Sequence, residues 1–142
     1  MNGIRCWHMI SEPISLVIVE SQPLMLAALS TAFSAEGMII LAEIAKHREA
    51  LQIAQKLKPD LVLFSVGHPG LDDLERISAL RQKLPATSIV ALISGDLRGQ
   101  FQAAVDYGAH LALSKTTPRA ELLNAVQGMF QKKTCPATVQ AD

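Results

Sequence analysis

Leu61-Val62-Leu63-Phe64 is a run of four apolar residues that reaches Ser65 and, beyond Val66, breaks into Gly67-His68-Pro69-Gly70. A strand with one face in water alternates apolar and polar residues, whereas a continuous apolar run is covered on both faces and belongs in the middle of a parallel sheet. Parallel neighbours need crossovers of a dozen or more residues, usually helices, so the flanking chain should alternate strands with amphipathic helices. In such sheets the chemistry gathers at the carboxyl ends of the strands. The residue at that end here is Ser65, a neutral hydroxyl.

The rest of the chain supplies the alternation. Leu16 to Val19 reads as a first strand, ended by Glu20-Ser21, with Ser21 a candidate cap and Pro23 suited to a first helical turn. Leu24, Met25, Ala28, Leu29, Ala32 and Phe33 recur at helical spacing, and Gly37 stops that helix. Met38 to Glu43 predicts a second strand, and a helix over 46–57 carries Ala50, Leu51, Ala54 and Leu57 as its buried stripe. After the organising strand, Asp72 or Asp73 starts a third helix with Leu74, Ile77 and Leu80 or Leu84 inward, ended by Pro85. Ile89 to Ile93 is a fourth strand, and a short helix over 99–107 closes at Gly108. Leu111 to Leu113 is a weak fifth strand. Thr117-Pro118 opens a last helix with Leu122, Leu123, Val126, Met129 and Phe130. The expected fold is an α/β three-layer sandwich, a five-stranded parallel sheet flanked by five helices joined by right-handed crossovers. The domain should run over 14–131, with 1–13 as a leader and 132–142 as a tail or the start of a linker. In the leader, Trp7 is either part of a partly ordered segment or a contact with a neighbouring subunit.

Charge narrows the partners. Thirteen basic and thirteen acidic residues give a formal net charge of zero, so no positive field gathers nucleic acid. The last helix carries only Arg119 near its start and Lys132-Lys133 at its end, which is no recognition helix, so this chain should not itself bind nucleic acid. Cys6 and Cys135 are isolated and read as thiols of a reducing compartment. Ser11, Glu12 and Pro13 interrupt the start before the first apolar run, against a signal peptide, and no apolar stretch is long enough to span a membrane. The expected setting is the cytoplasm.

Four fragments in order carry a family likeness: Val19-Glu20-Ser21-Gln22-Pro23-Leu24, Lys58-Pro59-Asp60-Leu61-Val62-Leu63, Pro69-Gly70-Leu71-Asp72, and Gly108-Ala109 leading to Lys115. With them the chain resembles the CheY-like receiver domain of response regulators over roughly 14–131, nearest the NarL/FixJ/LuxR type. That resemblance implies a phosphoaccepting aspartate at the end of the third strand and two acidic residues after the first, together holding Mg²⁺. It also implies a hydroxyl residue ending the fourth strand, an aromatic gate on the fifth, and a phosphate-contacting lysine. The matching positions here are Ser65, then Glu20 and Ser21, then Ile93, Ala112 and Lys115.

Only Lys115 keeps the family's residue type. Mg²⁺ needs clustered, charged oxygens in octahedral geometry, and one carboxylate among hydroxyls does not supply them. Ile93 cannot donate a hydrogen bond, its neighbour Ser94 points to the opposite face, and Ala112 is too small to gate. A nucleophilic Ser65 would need a base, with Lys115 and His68 the nearest candidates; loss of the acceptor is the simpler reading. Lys115 is then expected either to pair with Glu20 across the sheet end or to face solvent. The resulting expectation is a non-enzymatic, cofactor-free, metal-free pseudo-receiver whose phosphorylation site is degenerate. It would regulate transcription through dimerisation or through a helix-turn-helix output domain absent from this chain. Phe101 and Tyr107 are the candidate interface aromatics. The alternatives are a small-molecule-sensing receiver-like domain, a regulator phosphorylated unconventionally, and a purely structural domain.

Overall fold

The computed structural model describes residues 13–67, 71–95 and 99–134, with side chains described to residue 130. Cys6, Trp7, His68 and Cys135 lie outside the described residues or segments. The strands are β1 (Ser15–Val19), β2 (Ile39–Ile44), β3 (Leu61–Val66), β4 (Ser88–Ile93) and β5 (Leu111–Ser114). They alternate with α1 (Pro23–Ala35), α2 (Ala50–Leu57), α3 (Leu71–Lys83), α4 (Gln100–Tyr107) and α5 (Arg119–Thr134). A 3₁₀ turn, His47–Glu49, precedes α2.

All strand pairs are parallel, in the order β2-β1-β3-β4-β5. The apolar runs explain the order. Every residue of β3 and β4 is buried, as befits strands with a neighbour on each side, while β2 alternates exposed and covered positions at the sheet's edge. Where β1 meets β2 the register shifts between Leu16 and Val17, leaving Leu41 unmatched. Such a bulge twists an edge strand away from further pairing. At the amino ends, Asp60 accepts from the Ser15 amide and hydroxyl at 3.0 and 3.2 Å, pinning β3 to β1.

The described residues divide into two compact units, Ile14–Thr117 and a second that includes 118–134. Within the first, Val17, Val19, Val62, Phe64, Val66, Ile89, Ala91 and Ile93 line one face of the sheet. They pack with Ala50 and Ala54 of α2, Ile77 and Leu80 of α3, and Ala104 of α4. On the other face α1 packs over β1 and β2, with Leu29, Ala32 and Phe33 buried. In the second unit, Leu122, Leu123 and Val126 are the buried residues of α5.

Several helix details differ from the sequence reading. Gln22, not Ser21, is the N-cap of α1, without a side-chain cap bond, and Ser21 is exposed. Leu24 is 87% exposed and Ala28 is also exposed, because the covered stripe of α1 is narrowed to Leu29, Ala32 and Phe33. The helix expected from residue 46 begins with a 3₁₀ turn and becomes α-helical at Ala50. Leu57 is its last residue and is exposed, because Lys58 turns left-handed (φ 49°) and carries the chain away. At the end of α4, Gly108 adopts φ 130°, and a Cβ there would lie 2.8 Å from the Arg81 Cβ; only glycine fits.

Candidate functional site

The carboxyl edge of the sheet is set by its ladders. The Glu20 amide donates to the Ile44 carbonyl at 2.9 Å, extending the β1–β2 ladder by one residue. The Lys115 amide does the same to Ile93 O at 2.9 Å on the β4–β5 side. Between them Ser65 opposes Leu92 in the β3–β4 register. Since side chains alternate along a strand, Ser65 faces away from Phe64 and Val66, which belong to the large core.

Glu20 is fully buried and Ser65 is 2% exposed. The Lys115 Nζ reaches across to the Glu20 Oε1 at 3.2 Å. This is an ion pair whose geometry falls short of a directed hydrogen bond, since Oε1 has no hydrogen-bond partner. Oε2 accepts the Gln22 backbone N–H at 2.9 Å. Burial alone would push the Glu20 carboxyl up. The Gln22 amide, the Ser65 hydroxyl and the Lys115 ammonium outweigh it, and the group sits below its ordinary value. The pairing of Lys115 with Glu20, one of two readings open from sequence, is the arrangement found.

The remaining matched positions do not join this cluster. Ile93 is 1% exposed and packs in the core, and Ala112 packs against that core half-buried. Ser94 and Ser21 are exposed. Phe101 packs against the core, whereas Tyr107 is exposed.

Two polar clamps were not foreseen. His47 donates from Nε2 to the Ser65 carbonyl at 2.7 Å, its ring edge-on to Phe64 with centroids 5.1 Å apart. The Gly67 amide donates to Asp73 Oδ2 at 2.8 Å, and Asp73 pairs with Arg76 at 3.5 Å. Together they brace β3 where it leaves the sheet. Sequence offers little signal for either, because both depend on where a loop backbone points.

The metal that the family resemblance implies does not fit these residues. Among the described residues Glu20 is the one buried carboxylate, and its charge is already met by Lys115 and the Gln22 amide. Mg²⁺ would need Lys115 displaced and further charged oxygens that Ser65 and Ser21 do not provide. Among the described residues no group of three or more His, Cys, Asp or Glu is placed to hold a metal ion.

Fold and edge define a receiver-type α/β module, and comparison with known proteins agrees. The chain belongs to the response regulator receiver domain family, whose model matches residues 16–127. It is 25% identical over 116 residues to the nitrate/nitrite response regulator protein NarL of Escherichia coli strain K12, covering 81% of this chain and 54% of NarL. It is 28% identical over 121 residues to the transcriptional regulatory protein DesR of Bacillus subtilis strain 168, covering 84% of this chain and 60% of DesR. The chain thus spans little more than half the length of these relatives. Among solved structures, the BeF3-activated N-terminal receiver domain of Klebsiella pneumoniae RstA superposes with a TM-score of 0.72 at 28% identity, covering 80% of this chain and 95% of that one. Receiver domains of this family are signalling modules rather than enzymes. No helix among the described residues is long and apolar enough to cross a membrane.

Proposed function

We propose that this chain is a phosphorylation-independent receiver, a pseudo-receiver that acts in cytoplasmic transcriptional control through its contacts rather than through phosphoryl transfer. The observation that carries the proposal is the closed carboxyl edge. Ser65 stands buried at the acceptor position, and the buried Glu20 carboxylate at the same edge is paired with Lys115. A serine hydroxyl without an activating base is a poor nucleophile, and the Glu20 carboxylate nearby is engaged by Lys115 and the Gln22 amide, which hold it as a weak base. Ile93, sunk in the core, has no donor with which to report a phosphoryl group.

Output then follows from protein contacts. The expected partners are a second copy of the chain and a DNA-binding helix-turn-helix domain, as in a transcriptional regulator. Exposed Tyr107 at the end of α4 is the aromatic we assign to such a contact, Phe101 being committed to the core. A domain held in one conformation presents its surface without the dilution that an inactive fraction would cause.

The test is intact-mass measurement after incubation with acetyl phosphate and Mg²⁺, with sedimentation run in parallel. Mass and sedimentation should both be unchanged by the phosphodonor. A stoichiometric, hydroxylamine-labile adduct, or association that rises with the donor, would overturn the proposal.

A further inference from the structure

A second polar cluster stands at the amino ends of the strands, across the sheet from Glu20 and Ser65. His110 lies one residue ahead of β5, and its backbone N–H donates to the Ile89 carbonyl at 2.8 Å. The ring returns the contact, Nδ1 accepting the Ile89 N–H at 3.0 Å. Ile89 is fully buried in β4, so that amide has a fixed place. A neutral imidazole has one acceptor nitrogen, and with Nδ1 committed the ring proton is on Nε2.

The Nε2 edge of the ring meets Nη1 of Arg81, near the end of α3. Packing brings Arg81 there. Ile77 and Leu80 are the buried residues of α3, and the Arg81 stem runs over Gly108, where a Cβ would lie 2.8 Å from Arg81 Cβ and 2.9 Å from Cγ. Guanidinium nitrogens donate and do not accept. Two N–H groups therefore face each other, on side chains that are both exposed. A negatively charged oxygen acceptor completes such a pair, and a carboxylate has two oxygens, one for each donor. Among the described residues no carboxylate is within ion-pair distance of Arg81.

We infer that Arg81 and His110 form a carboxylate-binding site at the amino ends of β4 and β5. The ligand enters from solvent between the guanidinium and the Nε2–H, and Arg81 makes room by rotating about its side-chain bonds while its stem stays on Gly108. The same chemistry is offered by a free small carboxylate and by an acidic side chain of a partner protein. The site shares no residue with the carboxyl edge, so it stands whether or not that edge accepts a phosphoryl group.

The test is ¹⁵N spectroscopy of the wild-type chain at pH 8, reading the His110 ring nitrogens, the Arg81 Nε and the Ile89 amide. The probes are sodium acetate and an acetylated, amidated tetraglutamate peptide, with sodium chloride at matched ionic strength as the control. Before any addition the ring should be protonated on Nε2 and bare on Nδ1. Each probe should then shift the Arg81 and His110 side-chain resonances saturably, and the shifts should be lost in Arg81→Met, which keeps the stem over Gly108. Saturation by the peptide at lower carboxylate concentration than acetate supports the site with a partner's acidic segment as its ligand. Saturation at equal carboxylate concentration supports it with a free carboxylate. A ring protonated on Nδ1, an equal response to chloride, no saturable shift with either probe, or shifts that persist in Arg81→Met would overturn the inference. Should Arg81→Met fail to fold, the ring protonation and the titrations of wild type still decide, because both are read without the variant.

Discussion

Ser65→Asp should destabilise the protein by about 1–3 kcal/mol at neutral pH and should not create a phosphorylatable site. The substitution puts a second carboxylate into a position 2% exposed, at the strand ends where the Glu20 carboxylate is already buried. One ammonium, Lys115, would then serve two carboxylates, and like charges so placed cannot both ionise without cost. The new carboxyl would therefore have its folded pKa raised above the unfolded value. A group raised in this way destabilises fully above its folded pKa, and the deficit disappears below its unfolded pKa. Wild type has the opposite linkage through Glu20, whose carboxyl is held down by the Gln22 amide, Ser65 and Lys115 against the upward push of burial. That contribution is present above the ordinary carboxylate value and is lost as the pH falls through the folded pKa. Urea denaturation at pH 7 and pH 5 should thus show the gap between variant and wild type narrowing on acidification. Equal stability at pH 7 with parallel pH dependence would contradict it.

Lys115→Met is expected to cost about 2–3 kcal/mol, below the roughly 3–5 kcal/mol typical of breaking a fully buried pair because Lys115 retains some exposure. Methionine keeps the length and packing of the side chain but strands the Glu20 charge, with the Gln22 amide as the hydrogen bond that remains to it. The loss should diminish toward acid pH, where protonation of Glu20 removes the orphaned charge. Self-association should be unchanged, since the pair lies at the strand ends and the interface is assigned to another surface. A tenfold loss of association with unchanged stability would place Lys115 in a working switch instead.

How much of this was legible in sequence depends on what each residue's role rests on. The central strands were legible because an unbroken apolar run is a consequence of burial on both faces, as Leu61–Phe64 and Ile89–Ile93 illustrate. The edge position of β2 was not, since Ile39–Ile44 is nearly as apolar as β3 and only its place in the sheet exposes Ile39 and Leu41. Periodicity located α1 but overstated its buried face, because the spacing of Leu24 and Ala28 satisfies a helical pattern whether or not a sheet lies under them. At the candidate site, the family resemblance matched Glu20, Ser65 and Lys115 to one edge, and the choice between a paired and a solvent-facing Lys115 needed coordinates. The Gln22 amide and the His47 clamp were out of reach, for backbone direction and loop closure leave no mark in composition or spacing.

A pseudo-receiver differs from a working one in whether this edge still receives a phosphoryl group. Beryllofluoride with Mg²⁺ mimics that group without a covalent bond to a donor, and amide ¹H–¹⁵N spectra of the wild type report every residue of the edge at once. The predicted result is that the resonances of Glu20, Gln22, Ser65, Val66 and Lys115 stay in place as beryllofluoride and Mg²⁺ are added together. Saturable shifts at these residues, spreading to β4 and β5, would show a receiver that still switches and would contradict the account.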